Sequence, residues 1–96
     1  MKKYNDQTLG EAIKEMIETY RLEGRLNEVK LIGAWEKVTG KMISRHTKDL
    51  HIKSKKLYVS LDSPALKNEL NFSREKIVKA LNDAVGQQVI DEIVFA

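Results

Sequence analysis

The chain has 96 residues and a mass of 11.0 kDa, which allows one hydrophobic core and predicts a single domain over residues 1–96. It contains no cysteine, which excludes disulfides, thiolate metal ligands and cysteine nucleophiles. No apolar run reaches the roughly 18 residues of a membrane span, and the first ten residues lack the apolar centre of a signal peptide. We therefore expect a soluble, cytoplasmic protein with no membrane partner.

Two helices are predicted before residue 41. The first lies within residues 1–25, where Thr8 and Glu11 fit a capping box and apolar residues recur at helical spacing from Leu9 to Tyr20. Gly24 interrupts this pattern. A second helix is then predicted to start at residue 26 or 27, with Asn27 as its cap, and to end at residue 40. Its predicted buried residues are Val29, Ile32, Trp35 and Val38.

The basic segment begins where the second helix ends. Residues 41–47 are predicted to add a short helical turn that buries Met42 and Ile43. Residues 37–56 carry seven Lys or Arg against a single acidic residue, Asp49, although the whole chain has a net charge of only +3. This density is typical either of a surface that contacts a polyanion or of a solvated face that keeps the protein soluble. The candidate phosphate contacts are Lys37, Lys41, Arg45, Lys48, Lys53, Lys55 and Lys56.

The spacing within this segment predicts how the charges are arranged. The first four basic residues are four, four and three positions apart, so they form one cationic stripe if Gly40 does not break the helix. Lysines outnumber arginines, and no aromatic residue lies among them, Tyr58 being the nearest. This pattern favours sequence-independent phosphate contact over base readout, and it predicts no platform for base stacking.

The second half of the chain predicts a hairpin, a helical region and a final strand. Apolar and polar residues alternate over residues 50–53 and 57–62, on either side of a turn at residues 54–56. Ser63 and Pro64 mark a helix start, and residues 71–73 leave open whether one long helix or two follow. Gly86 ends the helical region, and residues 88–95 are predicted as a strand with Val89, Ile93 and Phe95 on one face. The fold class is therefore α+β, a two-layer sandwich of order α-α-β-β-α(α)-β with a three-stranded sheet.

No arrangement of residues predicts catalysis. His46 and His51 are the only histidines, and their spacing does not match a metal motif. The chain has no nucleophile elbow and no glycine-rich phosphate loop. We predict a non-enzymatic protein without catalytic residues, metal, cofactor or small-molecule substrate. Trp35 is predicted to pack in the core, with a solvent-facing anchor for a protein partner as the alternative.

From Trp35 onward the sequence resembles a bacterial domain family associated with the DciA proteins, which act on the replicative helicase. The resemblance covers roughly residues 26–96. It depends on an ordered set of residues rather than on any one of them: Trp35, Val38, Gly40, Ile43, His46, Thr47, Leu57, Val59, Ser63, Glu69, Leu70, Leu81, Asn82, Gly86, Val89, Ile93 and Phe95.

This resemblance implies both a fold and a function. The fold is KH-like, with a β-α-α-β core that runs from strand 57–62 to the final strand. The implied function is that of a DNA replication accessory protein that binds the replicative DNA helicase and contacts single-stranded or branched DNA. Residues 71–74 occupy the place of the RNA-gripping GXXG loop but contain no glycine, which disfavours ordinary KH-type RNA binding. A KH-like RNA-binding module and a protein-only interaction module remain alternatives.

Overall fold

The computed structural model describes residues 8–96. The first part of the predicted N-terminal helical segment and most of the region tested for a signal peptide fall on residues 1–7, outside the described residues. The elements follow in the order α1 (Leu9–Gly33), α2 (Trp35–Thr39), α3 (Lys41–Arg45), β1 (Thr47–Lys53), β2 (Lys56–Leu61), α4 (Pro64–Asn71), α5 (Arg74–Val85) and β3 (Glu92–Phe95).

The three strands form one mixed sheet in the order β1-β2-β3. β1 pairs with β2 in an antiparallel hairpin, and β2 pairs with β3 in parallel. Because parallel neighbours need a crossover connection, α4 and α5 span the distance between the ends of β2 and β3. The predicted α+β architecture with a three-stranded sheet is confirmed, including the β-α-α-β order implied by the KH-like resemblance.

The hydrophobic core lies between one face of the sheet and the helices. Alternation along the strands sends every second side chain to this face, as in Leu57 and Val59 of the central strand, which are fully buried. Leu50 and Ile52, their cross-strand partners in β1, are half-buried at the sheet edge. The helices and the loop before β3 supply the remaining buried side chains, which include Leu31, Trp35, Leu70, Ile77, Leu81 and Ile90.

The prediction of two helices separated at Gly24 is wrong. Thr8 caps the first helix as predicted, its Oγ1 accepting from the Glu11 N–H at 3.1 Å, but α1 then continues through Gly24 to Gly33. A single glycine costs a helix interior only about 1 kcal/mol relative to alanine, which the helical hydrogen bonds on both sides outweigh. Asn27 is therefore an interior residue rather than a cap, and Val29 is 67% exposed rather than buried.

The N-terminal part of α1 extends beyond the core. Leu9, Ile13 and Tyr20 lie on the same helix face as Leu31, yet only Leu31 is buried and the other three are exposed. The molecule is correspondingly elongated, with extents of 61 × 20 × 20 Å. The apolar periodicity correctly predicted the helix, but the stripe contacts the core only near the C-terminal end of α1.

Two short helices lead from α1 into the sheet. Gly40, with φ +96°, separates α2 from α3, and it provides the predicted stop signal. Ile43 packs against the core as predicted, whereas Met42 is 60% exposed, contrary to prediction. Only one side of this five-residue helix faces the core, so the neighbour of Ile43 points outward.

Trp35 is buried, which confirms its predicted core role. Its indole N–H donates to Thr47 Oγ1 at 3.0 Å, and the Thr47 hydroxyl donates in turn to the Ile43 carbonyl at 2.7 Å. The Thr39 hydroxyl donates to the Trp35 carbonyl at 2.7 Å. The indole therefore joins the start of α2 to the start of β1 as well as filling the core.

The crossover consists of two helices, which resolves the alternative left open by the sequence. Ser63 caps α4 by accepting from the Leu66 N–H at 3.3 Å, with Pro64 in the first turn as predicted. The helix is interrupted by a turn at Phe72 and Ser73 before α5 begins, and the Phe72 side chain at this turn is 91% exposed.

β3 is shorter than predicted, because Asn82 holds residues 89–90 in a loop. The Asn82 Oδ1 accepts from the N–H groups of Val89 and Ile90, and its Nδ2 donates to the Ile90 carbonyl, at 2.9 to 3.1 Å. These backbone groups are thus paired without a neighbouring strand. Ile90 is fully buried although it lies outside the predicted apolar face, and the strand itself begins only at Glu92.

Candidate nucleic-acid interface

Three of the predicted phosphate contacts lie on the short helices. Lys37 is in α2, and Lys41 and Arg45 are in α3, where their spacing of four places them on one helix face. All three are exposed. We call them the helical cluster. Gly40 breaks the helix and Lys48 lies in β1, so the condition for a single helical stripe over residues 37–48 is not met.

The hairpin turn holds a second group, Lys53, Lys55 and Lys56, which we call the hairpin cluster. Lys53 and Lys56 are cross-strand partners that close a two-residue turn. Both turn residues have positive φ, 52° at Ser54 and 62° at Lys55, the geometry of a type I′ hairpin. The Asp91 N–H donates to the Lys55 carbonyl at 2.8 Å, which fixes the turn against the loop that leads into β3.

The strand β1 separates the two clusters. Five residue steps from Lys48 to Lys53 along a strand correspond to about 17 Å. The structure therefore divides the predicted basic residues between two ends of the hairpin. The helical cluster and Lys48 lie at the end where β1 begins, which we call the near end, and the hairpin cluster lies at the turn. Lys48, at the near end, is engaged by Asp62, with 3.2 Å between its Nζ and the carboxylate Oδ2.

Asp62 joins the two chain segments that flank the hairpin. Its Oδ1 lies 2.7 Å from His46 Nδ1, and its backbone N–H donates to the His46 carbonyl at 3.0 Å. The hydrogen bond with His46 is the main cause that lowers the pKa of the Asp62 carboxyl below its usual value of 3.8. Loss of hydration opposes this shift, and Lys48 adds to it. The ionised carboxylate is thus the form that the folded state favours.

The Asp62→Asn variant should be less stable than the parent at pH 7, with a difference that shrinks below about pH 4. A carboxyl whose pKa is lowered by folding stabilises the protein above its unfolded pKa, and this contribution is lost as the pH falls through the folded pKa. Urea unfolding at pH 7 and pH 3 measures the difference. Asp83→Asn, which removes another exposed carboxylate paired with a lysine, is the control. If Asp62→Asn lowered the free energy of unfolding equally at both pH values, the prediction would be contradicted.

An aromatic pair on the sheet was missed by the sequence analysis. The rings of His51 and Tyr58 stack with centroids 5.0 Å apart and planes 10° apart. The two residues are direct cross-strand partners. The alternation had identified both strands, but a three-residue turn had been assumed. A two-residue turn at Ser54 and Lys55 would have fixed the register and placed the rings opposite each other.

Each histidine lies beside one carboxylate. His46 is paired with Asp62, and His51 Nδ1 lies 2.8 Å from Asp49 Oδ2. Among residues 8–96, no group of three or more His, Cys, Asp or Glu side chains is placed to hold a metal ion.

Within the same residues, no helix combines the length and the apolar character needed to cross a membrane.

Residues 8–95 match the family model described as "Dna[CI] antecedent, DciA". The chain belongs to the DciA family. It is also 34% identical over 59 residues to a UPF0232 protein of Corynebacterium glutamicum (strain R). That match covers 62% of this chain and 33% of the relative, so the matched segment spans about a third of the relative's length.

Membership in the DciA family confirms the resemblance found in the sequence and extends it. The family match starts at residue 8, so α1 belongs to the DciA domain, whereas the sequence pattern had covered only residues from about 26 onward. The DciA family is a replication accessory family associated with helicase loading.

Proposed function

We propose that this protein is a non-enzymatic, cytoplasmic DNA replication accessory protein that binds the replicative DNA helicase and contacts DNA through its basic residues. The observation that carries this proposal is the family match over residues 8–95. The helicase is the partner that the DciA family name implies. The exposed positive charge adds a reason for a polyanion such as DNA to bind.

The helical cluster is the stronger candidate for phosphate contact at the near end of the hairpin. Its three side chains are exposed, and none of them forms a salt bridge within residues 8–96. Lys48 differs, because its ammonium must leave Asp62 before it can bind a phosphate. We therefore assign Lys37, Lys41 and Arg45 the larger share of contacts there.

The helicase part is tested by mixing the protein with the replicative helicase of the same organism. Size exclusion with light scattering should show one co-eluting complex, whose mass gives the stoichiometry. Separate elution of two folded proteins at micromolar concentration would overturn the helicase proposal.

Charge reversal tests the DNA part. The double variant Lys41→Glu/Arg45→Glu should bind a single-stranded or branched oligonucleotide more weakly at 50 mM salt than the parent. Loss of two phosphate contacts should reduce the slope of log K against log salt by about two. Fluorescence anisotropy between 50 and 200 mM salt measures both effects, and thermal melting by circular dichroism checks the fold.

The matched control is Arg21→Glu/Arg25→Glu, which changes the net charge equally at two exposed positions of α1 with the same spacing of four residues. If both double variants lose affinity equally, net charge alone explains binding and the helical cluster is not the site. An oligoribonucleotide bound more tightly than its DNA counterpart would favour the RNA-binding alternative. Helicase binding without any nucleic-acid binding at 50 mM salt would favour a protein-only module.

A further inference from the structure

The sheet has a second face, opposite the core, on which no buried residue lies. Because side chains alternate along a strand, this face receives the residues between the core positions of β1, β2 and β3. All of them are exposed or half-buried. Those that matter here are His51, Lys53, Lys56, Tyr58 and Val94. The face therefore combines an aromatic pair with two lysines of the hairpin cluster.

The aromatic pair lies at an open edge of the sheet. β1 is an edge strand of the sheet, so among residues 8–96 no further strand lies beyond His51. The His51 side chain is 57% exposed, and its contact with Asp49 at 2.8 Å fixes the plane of the imidazole. Tyr58 stacks on one face of the His51 ring, and from the exposure of the side chain we infer that the other face is open to a ligand. A third planar ring can extend this stack with little loss of side-chain entropy, since both rings are already ordered.

Positive charge surrounds one end of this stack. Lys53 follows His51 by two residues on the same face, and Lys56 precedes Tyr58 by two, each about 7 Å away along its strand. Lys55 lies in the turn between them. Glu92, the register partner of Lys56, offsets part of this charge, and Asp49 places a second carboxylate beside His51. The three lysines therefore exceed the acidic side chains of this face by one. A ligand with both planar rings and regularly spaced negative charges complements this surface, which favours nucleic acid over an apolar peptide.

We propose that this open sheet face binds single-stranded nucleic acid, with an unpaired base stacked on the His51–Tyr58 pair and neighbouring phosphates on the hairpin cluster. The proposal rests on the DNA contact of the proposed function and adds a base-contacting site distinct from the helical cluster. It differs from the sequence-based expectation that no stacking platform exists. Bases in a duplex are stacked on one another and cannot reach the pair, so the site distinguishes unpaired strands from duplex.

An abasic oligonucleotide separates stacking from phosphate contact. A labelled oligothymidylate and an abasic strand of equal length carry the same phosphates, so only the bases differ. The parent protein should bind the base-bearing strand about tenfold more tightly, the effect of stacking one base. His51→Ala and Tyr58→Leu should each reduce this ratio toward one without changing the affinity for the abasic strand. Tyr58→Phe should retain the ratio, because the phenyl ring can stack.

The outcomes of this experiment are distinct. Equal binding of the two strands by the parent protein overturns this proposal while leaving phosphate contact by the helical cluster intact. Binding to neither strand overturns both this proposal and the DNA part of the proposed function. The proposal also predicts that His51→Ala weakens binding of the single strand more than binding of a duplex. An equal loss of affinity for both would overturn the stacking site. Since His51 is exposed, His51→Ala keeps the test valid even if Tyr58→Leu fails to fold.

Discussion

Replacing Trp35 by alanine should lower the free energy of unfolding by about 3–5 kcal/mol, the usual effect of truncating a buried tryptophan. The side chain is only 2% exposed, and its loss leaves a cavity in the hydrophobic core. It also leaves Thr47 Oγ1 without the indole N–H donor at the start of β1. Because domains of this size have a total stability of about 5–15 kcal/mol, such a loss is a large part of the whole.

Two other variants separate the contributions of Trp35. Trp35→Phe keeps an aromatic ring but removes the donor to Thr47, so its loss should be smaller than that of alanine. Tyr20→Ala truncates an aromatic residue that is exposed in α1, and it should change stability by less than about 0.5 kcal/mol. Urea unfolding must be followed by circular dichroism, since Trp35 is the only tryptophan. If Trp35→Ala lowered the free energy of unfolding by less than Tyr20→Ala does, Trp35 would not be a core residue.

The Asn82→Ala substitution should lower the free energy of unfolding by about 2–4 kcal/mol, because three backbone groups of the loop before β3 lose their hydrogen-bond partners together. The N–H groups of Val89 and Ile90 and the Ile90 carbonyl all bind the Asn82 amide. Ile90 is fully buried, so water cannot reach its N–H and carbonyl groups without opening the core. We expect the docking of β3 to weaken before the β1–β2 hairpin does.

Hydrogen exchange provides the local measurement for this variant. The amides of Val89 and Ile90 should exchange faster in Asn82→Ala, while those of the hairpin change less. Asp83→Ala is the matched control, since it removes a neighbouring side chain whose bond to Lys79 lies on the exposed surface. That control should lose no more than about 0.5 kcal/mol. Unchanged exchange at Val89 and Ile90 would contradict the role given to Asn82.

Local patterns predicted the elements better than they predicted their partners. The alternation of β1 and β2 and the cap at Ser63 are determined by neighbouring residues, and the structure confirms them. The prediction of a helix break at Gly24 was wrong because the helical hydrogen bonds on either side stabilise the helix by more than one glycine destabilises it. Ile90 was missed because its burial depends on the Asn82 amide, a contact that no periodicity records.

The candidate site was predicted as a composition and not as a geometry. Counting charges identified the basic segment, since that count needs no fold. The separation of the helical and hairpin clusters depends on Gly40 and on the length of β1, and the stacked pair depends on the register of one hairpin. A shift of one residue in the assumed turn was enough to hide the pairing of His51 with Tyr58.

The protruding half of α1 has a consequence for how this chain tolerates change. Leu9, Met16 and Tyr20 are all more than half exposed, so substitutions there remove little buried surface. A short helical segment without packing is marginal in water, and its amides should exchange long before the core opens. A stability-based mutational scan should therefore be nearly flat over residues 9–24, and its first large loss of stability should fall at the buried Leu31. Any selective pressure on the apolar residues of that first stretch must then come from something other than folding.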